Sequence, residues 1–213
     1  MKFKVCGLFD DKNIQQVAEL NPDYIGHIFW EKSVRYVKTK TPKLKSEIKK
    51  TGVFFNSNFD VIIDKISEHD LACVQLHGDE SPEFCKKILD SGVQVIKSFR
   101  IDDKFDFGIL KNYEEYCDMF LFDSKSELPG GTGKSFNWEI LKKYNLKKDF
   151  FISGGIGLHS IDSLFDLLKI DLPIYGIDVN SKFEDDNYLK TVSYTHLRAH
   201  ETGRNLVCRL LLE

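Results

Sequence analysis

Eight short apolar runs alternate with amphipathic segments along the chain, and this alternation constrains the fold more than any other feature. Each run is too short for a helix, is rich in β-branched or aromatic residues, and ends at a residue suited to turns. The predicted strands cover residues 3–6, 24–29, 52–55, 73–76, 93–98, 119–122, 150–153 and 174–179. The predicted helical segments between them include residues 14–20, 59–68, 82–91, 138–144 and 160–168.

Strands that alternate with helices predict a parallel sheet. Eight such units close a (β/α)8 TIM barrel, and 213 residues lie near the lower limit of about 200 for that fold. The alternative is an open, doubly wound sheet, which usually carries a glycine-rich nucleotide-binding turn after its first strand. The residues at that place, Cys6-Gly7-Leu8-Phe9, do not form such a turn. The predicted fold is therefore α/β, a small TIM barrel over residues 1–191.

The charge pattern favours a small-molecule substrate. The net charge is −3, with 30 basic and 33 acidic residues spread along the chain, so no stretch has the basic character of a nucleic-acid-binding face. No apolar run approaches the roughly 20 residues that span a bilayer, and the first residues are typical of a strand, not of an export signal. We expect neither a nucleic-acid nor a membrane partner, and a monomer or homodimer.

The five cysteines are scattered and contain no CxxC pair. This pattern is not typical of a disulfide framework or of a zinc site, and it fits a reducing compartment. The expectation is a cytoplasmic protein without a metal.

Two strand ends carry residues suited to acid–base chemistry, and active residues of TIM barrels lie at the carboxyl ends of the strands. Cys6 ends the first predicted strand, and Asp123 follows the sixth. A thiol with a pKa of about 8.5 can act as a base when a cation favours the thiolate, and a partly buried carboxylic acid can protonate a leaving oxygen. The alternatives are an inert buried thiol and an aspartate that bonds the amides of the next turn.

Candidates for anion binding follow strands two, seven and eight. Gly154 and Gly155 offer backbone N–H groups shortly before a predicted helix, and Ser181 lies in the loop after strand eight, where TIM barrels often bind phosphate. The alternative for Gly154 and Gly155 is that they are ordinary turn glycines without a binding role. Arg35 follows strand two and offers a planar fork for a carboxylate, or else is a solvated surface charge.

The glycine-rich run at 129–134 has part of the composition of a P-loop but not its spacing. We predict a mobile loop over the site, not a nucleotide-binding turn.

Residues 192–213 break from the composition of the rest of the chain. They hold two of the six histidines and are rich in arginine, whereas lysine dominates the basic residues before them. The segment resembles a translated sequencing-adapter tail found at the ends of unrelated environmental gene predictions. The alternative is a divergent closing helix with a leucine-rich stripe. We expect a foreign tail, with the last helix of the barrel missing or replaced.

Taken together, these segments resemble one family, phosphoribosylanthranilate isomerase, over residues 1 to about 190. Several segments are loose individually, but they follow the family order and are specific as a set. The matching segments are Lys4-Val5-Cys6-Gly7, Ser33-Val34-Arg35-Tyr36-Val37, Gly52-Val53-Phe54-Phe55-Asn56, Val74-Gln75-Leu76-His77-Gly78, Leu121-Phe122-Asp123, Gly130-Gly131-Thr132-Gly133, Ser153-Gly154-Gly155-Ile156 and Gly176-Ile177-Asp178-Val179-Asn180-Ser181 with Glu184.

The resemblance implies an Amadori rearrangement without cofactor or metal. In the family, an aspartate at the end of strand six protonates the ribose ring oxygen and opens the glycosylamine to a Schiff base. A cysteine at the end of strand one then removes a proton from the adjacent carbon. In this sequence those residues are Asp123, the acid, and Cys6, the base.

The resemblance also implies a phosphorylated small-molecule substrate and residues that bind it. Arg35 is expected to hold the anthranilate moiety, and His77 at the end of strand four is a further substrate-binding candidate. The phosphate falls to Gly154, Gly155 and Ser181. Asp178 matches the family motif, but a carboxylate cannot simply bind phosphate, so it orients the loop or bonds a substrate hydroxyl.

Two departures and three rival functions accompany the resemblance. The foreign tail replaces the closing helix of the family, and the motif that follows strand eight is largely lost. The family commonly continues after strand eight with Pro-Gly-x-Lys-Asp, of which residues 187–191 keep little more than Lys190. An indole-glycerol-phosphate synthase would need lysine and glutamate at strand ends, and a metal-dependent sugar-phosphate epimerase would need more histidines there. The rival from another class is a non-catalytic phosphate-binding barrel.

Overall fold

The computed structural model describes residues 1–124, 138–157 and 160–191 and contains a closed barrel of eight parallel strands. Each strand pairs with its neighbours in sequence, and the first pairs with the last. The strands are β1 Lys2–Val5, β2 Tyr24–Ile28, β3 Lys49–Phe54, β4 Cys73–Leu76, β5 Gln94–Ile101, β6 Met119–Ser124, β7 Phe150–Ile152 and β8 Ile174–Val179. The predicted TIM barrel is confirmed, with every predicted strand present.

The largest boundary errors are three residues: β3 begins at Lys49 and not at residue 52, and β5 ends at Ile101 and not at residue 98. The first residues of β3 are polar, so the apolar pattern of the sequence did not indicate that they belong to a strand. Lys50 is nevertheless buried, and its ammonium donates to the hydroxyl of Thr41 at 3.4 Å and to the carbonyl of Pro42 at 3.3 Å.

Helices cover the outside of the barrel unevenly. The α-helices are α1 Asp11–Ala18, α2 Phe59–His69, α3 Pro82–Leu89 and α4 Ile161–Leu168, and short 3-10 helices occupy Phe107–Asn112, Trp138–Lys143 and Ser181–Phe183. The segment 29–48 between β2 and β3 contains no helix. The segment 138–144, which was predicted to be helical, contains the 3-10 helix Trp138–Lys143.

Two of the α-helices begin at a side-chain cap. The carboxylate of Asp10 accepts a hydrogen bond from the backbone N–H of Asn13 at 2.9 Å, and the hydroxyl of Ser81 accepts one from Phe84 at 3.3 Å. Such caps satisfy amides that the first turn leaves without a partner. Pro82 occupies the start of α3, where its missing N–H has no consequence.

The inside of the barrel has an apolar half and a polar half. The apolar plug is a cluster of buried side chains from Tyr24, Cys73, Ile96, Met119, Leu121 and Phe151. Side chains two residues apart on a strand point the same way. On four of these strands, the next residue that points inward is polar. Those positions are Gln75, Ser98, Asp123 and Ser153. The plug thus forms a floor beneath a polar layer at the carboxyl-terminal mouth of the barrel.

The glycine-rich run at 129–134 and the segment 192–213 lie outside the described residues, so both expectations about them stay predictions. Among the residues that the structure describes, no helix is long and apolar enough to cross a membrane.

Candidate active site

Cys6 lies at the mouth directly after β1. Its backbone N–H donates to the carbonyl of Val179 at 2.9 Å, which continues the ladder between β1 and β8. The side chain is buried, with 5% of its surface exposed. Its sulfur fits because the neighbouring strand carries a glycine: a Cβ on Gly26 would come within 2.7 Å of Sγ. The structure therefore places the thiol inside the barrel mouth, as the sequence predicted.

A buried ion pair lies beside this thiol. Lys4 on β1 and Asp178 on β8 are register partners, and Nζ of Lys4 donates to Oδ1 of Asp178 at 3.0 Å. The Lys4 side chain is 0% exposed and that of Asp178 is 4% exposed. The hydroxyl of Ser153 donates to the other carboxylate oxygen at 3.4 Å. Burial opposes the charge on Lys4, but Asp178 and the Cys6 sulfur outweigh it and raise the lysine pKa above its ordinary value.

The Cys6 thiol responds to this surrounding charge. Burial raises its pKa, Lys4 lowers it, Asp178 raises it, and Lys190 lowers it again. The net pKa lies above the ordinary value for a thiol. The lysines thus partly offset the desolvation that disfavours a thiolate in this position.

Asp123, near the end of β6, faces His77 across the mouth. Nε2 of His77 is 3.4 Å from Oδ2 of Asp123, and both side chains are partly exposed, at 21% and 26%. The amide nitrogen of Gln75 contacts Nδ1 of His77 and the hydroxyl of Ser98, each at 3.1 Å. With the amide placed so, Nδ1 accepts a hydrogen bond, and the ring proton lies on Nε2, toward Asp123.

Asp178 connects the two candidate catalytic residues. Its carboxylate interacts electrostatically with Cys6, with Asp123 and with His77. One mouth therefore holds both the thiol and the acid. The placement of Asp178 in the polar layer, bonded to Lys4 and Ser153, also shows that protein groups already engage this carboxylate.

Gly154 and Gly155 come shortly after β7. Their backbone has a left-handed conformation, which would be strained in a residue with a side chain. Gly154 and Gly155 have φ angles of +85° and +68°. A Cβ on Gly154 would come within 2.6 Å of Oδ1 of Asp123, so only glycine lets this loop pass the carboxyl group. A Cβ on Gly155 would meet nothing within 4 Å, and the residue is exposed. Ser181, in the loop after the neighbouring strand β8, is also exposed.

Arg35 is held by a carboxylate from the loop after β8. Its Nε donates to Oε1 and Oε2 of Glu184 at 2.8 and 3.0 Å, and Nη2 also donates to Oε2. The guanidinium lies 5.1 Å from the ring centre of Tyr188. All contacts with Glu184 use the Nε and Nη2 edge, which leaves the edge formed by Nη1 for another ligand. Arg35 is thus a fixed group at the mouth and not a solvated surface charge.

Lys190 joins the same cluster. Its ammonium donates to Oδ1 of Asn180 at 2.8 Å and forms an ion pair with Glu184, and its side chain is 1% exposed. The lysine that survives from the Pro-Gly-x-Lys-Asp pattern is therefore part of the site. Tyr188 stands where that pattern has glycine and retains a left-handed backbone, with φ +63°.

Sequence reasoning assigned no role to Lys4, Gln75, Glu184 or Lys190. A lysine in the middle of a short apolar strand, two residues from the candidate base, was a signal for Lys4, since both side chains point the same way. No local sequence pattern indicated a role for Gln75, Glu184 or Lys190. Cys73, Cys85 and Cys117 are free, buried thiols. In the described parts of the chain, no group of three or more His, Cys, Asp and Glu is placed to hold a metal ion.

A closed eight-stranded barrel with a buried thiol and an aspartate at its carboxyl-terminal mouth defines the class: a (β/α)8-barrel enzyme with acid–base groups. The family model described as N-(5'phosphoribosyl)anthranilate (PRA) isomerase matches residues 3–191. The chain belongs to this family.

Similar proteins agree with the family assignment. N-(5'-phosphoribosyl)anthranilate isomerase of Phocaeicola vulgatus is 38% identical, over 92% of this chain and 95% of its own length. The isomerase of Parabacteroides distasonis is 39% identical, over 90% and 89%. A crystal structure of phosphoribosyl anthranilate isomerase in complex with reduced 1-(o-carboxyphenylamino)-1-deoxyribulose 5-phosphate is 26% identical, with a TM-score of 0.74, and covers 91% of this chain and 93% of that one.

Proposed function

We propose that this chain converts N-(5'-phosphoribosyl)anthranilate to 1-(2-carboxyphenylamino)-1-deoxyribulose 5-phosphate, the isomerisation step of tryptophan biosynthesis. The observation that carries the proposal is the placement of Cys6 and Asp123 around Asp178 in one barrel mouth. The family assignment supplies the substrate. A related isomerase binds a reduced form of the product named above, a compound that bears both a phosphate and an aromatic carboxylate.

The first step opens the ribose ring. Asp123, in its protonated form, donates its proton to the ring oxygen as the bond from that oxygen to the anomeric carbon breaks. The nitrogen lone pair forms the Schiff base, so the positive charge appears on nitrogen and Asp123 becomes a carboxylate. His77 supports this step, because its Nε2 proton points at the oxygen on which negative charge develops.

The second step moves a proton from carbon. The Cys6 thiolate removes the proton from the carbon next to the Schiff base, the electron pair neutralises the iminium nitrogen, and an enolamine forms. Tautomerisation of this enolamine to the ketone completes the isomerisation, and proton exchange through solvent returns the proton from the Cys6 thiol to the Asp123 carboxylate. Reactant and product have the same composition, so the scheme needs a proton donor and a proton acceptor but no oxidant.

Substrate binding uses the two ends of the mouth. Arg35 offers its Nη1 edge to the anthranilate carboxylate, while Glu184 holds the opposite edge. Gly154, Gly155 and Ser181 bind the phosphate on the side of β7 and β8, where exposed backbone and hydroxyl donors face solvent. We also propose that the protein is cytoplasmic and that it is a monomer or a homodimer. Analytical sedimentation would distinguish these two oligomeric states.

Substitution of the two reacting groups tests the function. We expect Cys6→Ala and Asp123→Asn each to lower turnover of N-(5'-phosphoribosyl)anthranilate by roughly 10²–10⁴-fold, the usual loss for a positioned acid or base. Affinity for a phosphorylated product analogue is expected to stay within a few-fold of the parent. Cys73→Ala is the matched control, because that thiol is buried in the apolar plug. Activity of both site variants close to that of the control would refute the mechanism.

A further inference from the structure

Lys4 has no role in the reaction as described so far, yet it is the buried cation nearest in sequence to the reacting thiol. A fully buried lysine is costly unless it has a partner, and Asp178 at 3.0 Å is that partner. Elsewhere the inside of the barrel is filled by the uncharged side chains of the apolar plug. A buried charge in this place therefore calls for an explanation beyond packing.

The geometry bonds the Lys4 ammonium to Asp178 on the same inner face of the barrel as Cys6. Lys4 lies on β1 and Cys6 follows this strand directly, two residues later, so their side chains share the inner face of the barrel. The charge of the buried Lys4 ammonium favours the thiolate form of Cys6. Asp178, opposite Lys4 in the register of β1 and β8, holds the ammonium from the other side.

Four charged groups reach Cys6 from the elements around it. They are Lys4 on β1, Asp178 on β8, Lys190 after β8 and Arg35 after β2. Glu184 forms ion pairs with both Arg35 and Lys190, so one of their two charges is compensated. Among these groups, Lys4 is the cation that lowers the pKa of the Cys6 thiol most, and Asp178 is the one anion.

We propose that Lys4 is a positioning residue that stabilises the Cys6 thiolate and that Asp178 anchors Lys4 in that place. The inference rests on the proposed function, in which Cys6 acts as the base. It assigns opposite effects to two bonded residues: Lys4 favours the thiolate, and Asp178, a like charge, disfavours it. Damage to packing would not produce opposite effects.

The test measures how readily Cys6 is alkylated by iodoacetamide between pH 7 and 11, read by mass spectrometry of the peptide that contains it. Only the thiolate reacts, so the midpoint reports the thiol pKa. We expect Lys4→Met to raise the midpoint by about one pH unit or more, and Asp178→Asn to lower it. The control is Lys2→Met, which removes an exposed lysine from the same strand and should leave the midpoint unchanged.

A double variant guards against misfolding. Lys4→Met alone leaves Asp178 buried without its partner, which can unfold a protein. Lys4→Met with Asp178→Asn leaves neither charge unpaired, and its midpoint should lie above that of the parent because the lysine has the larger effect. A midpoint in a folded double variant at or below the parent value would overturn the proposal, as would single variants that shift in the same direction.

This readout separates the two proposals. Alkylation requires no turnover, whereas the isomerase assay on the unmodified chain tests the function. If the parent isomerises the substrate but the Lys4 variants alkylate as the parent does, the role of Lys4 is wrong and the function stands. If the parent is inactive but the shifts occur with opposite signs, the function is wrong and the electrostatic role of Lys4 stands.

Discussion

Nε2 of His77 lies 3.4 Å from Oδ2 of Asp123, and the ring of His77 is held from its other side by the Gln75 amide. The histidine follows β4 and the aspartate belongs to β6, so the contact crosses the barrel mouth above β5. A histidine that offers its Nε2 proton to this carboxyl group stabilises the carboxylate left after proton donation. The same ring was a candidate for substrate binding from sequence, and kinetics can separate the two roles.

We expect His77→Ala to lower kcat by about 10–150-fold with KM changed by less than threefold, since a hydrogen bond to a charged group contributes roughly 1.5–3 kcal/mol. Steady-state kinetics with N-(5'-phosphoribosyl)anthranilate would measure both constants. Gln75→Ala should give a smaller loss in kcat, because the ring keeps its proton but loses its orientation. A rise in KM with unchanged kcat would assign His77 to substrate binding alone.

Arg35→Lys should weaken binding of the substrate carboxylate although the positive charge remains, because lysine cannot reproduce the planar fork. We expect KM to rise by about tenfold or more, equivalent to one charge-assisted hydrogen bond. Comparison with a substrate analogue that lacks the carboxylate provides the measurement. Equal losses for both compounds would show that Arg35 acts on another part of the substrate.

Glu184→Gln tests how Arg35 is held. The amide keeps the shape of the side chain but removes the anion between Arg35 and Lys190. Two cations would then share the buried site without a counter-charge, so we expect lower thermal stability together with a raised KM. Unchanged melting temperature and KM would mean that Glu184 contributes to neither.

Inorganic phosphate should compete with substrate, and Gly155→Asp should abolish this competition. Space above Gly155 is open, so the carboxylate fits there and repels the anion. Aspartate also tolerates the left-handed backbone better than most residues. Gly92→Asp is the control, because Gly92 has a similar φ of +88°, equally open surroundings and a place between α3 and β5. Phosphate inhibition that persists in Gly155→Asp would place the anion site in another loop.

Acid stability should depend on His27, a buried residue of β2 whose Nδ1 donates to the Leu8 carbonyl at 2.8 Å. Burial lowers its pKa to about 4, against 6.5 for the ordinary side chain. The unfolded chain therefore binds a proton at higher pH than the folded one, so this contribution is complete above pH 6.5 and is lost as pH falls toward 4. Between pH 7 and 5 the loss is about 2 kcal/mol.

The variant His27→Asn keeps a donor for Leu8 but does not titrate. We expect the free energy of unfolding of the parent, measured with urea, to fall relative to that of this variant as the pH is lowered from 7 to 5. Parallel pH profiles for the two proteins would show that His27 does not titrate on unfolding in this range.

The local sequence pattern was sufficient to predict the bounds of strands whose apolar residues are continuous. It failed where a polar residue is buried because residues outside its strand bind its side chain. β4 and β8 have the predicted bounds because runs of apolar residues mark them. β3 begins earlier than predicted, since Lys50 is buried only because loop residues solvate its ammonium. Likewise Cys6 and Asp123 could be picked out as strand-end residues, but nothing local gave Gln75 its part in orienting His77.

The sequence by itself determined the order of eight strands, the barrel class, and which side chains stand at the strand ends, because these follow from periodicity over a few residues. Only the tertiary structure decided which of those side chains meet. Closure of the barrel pairs β1 with β8 and brings Lys4 to Asp178 across 174 residues of chain, and the loop after β8 brings Glu184 to Arg35 across 149. The strength of each pair depends on burial and on register, and both arise when the sheet closes on itself.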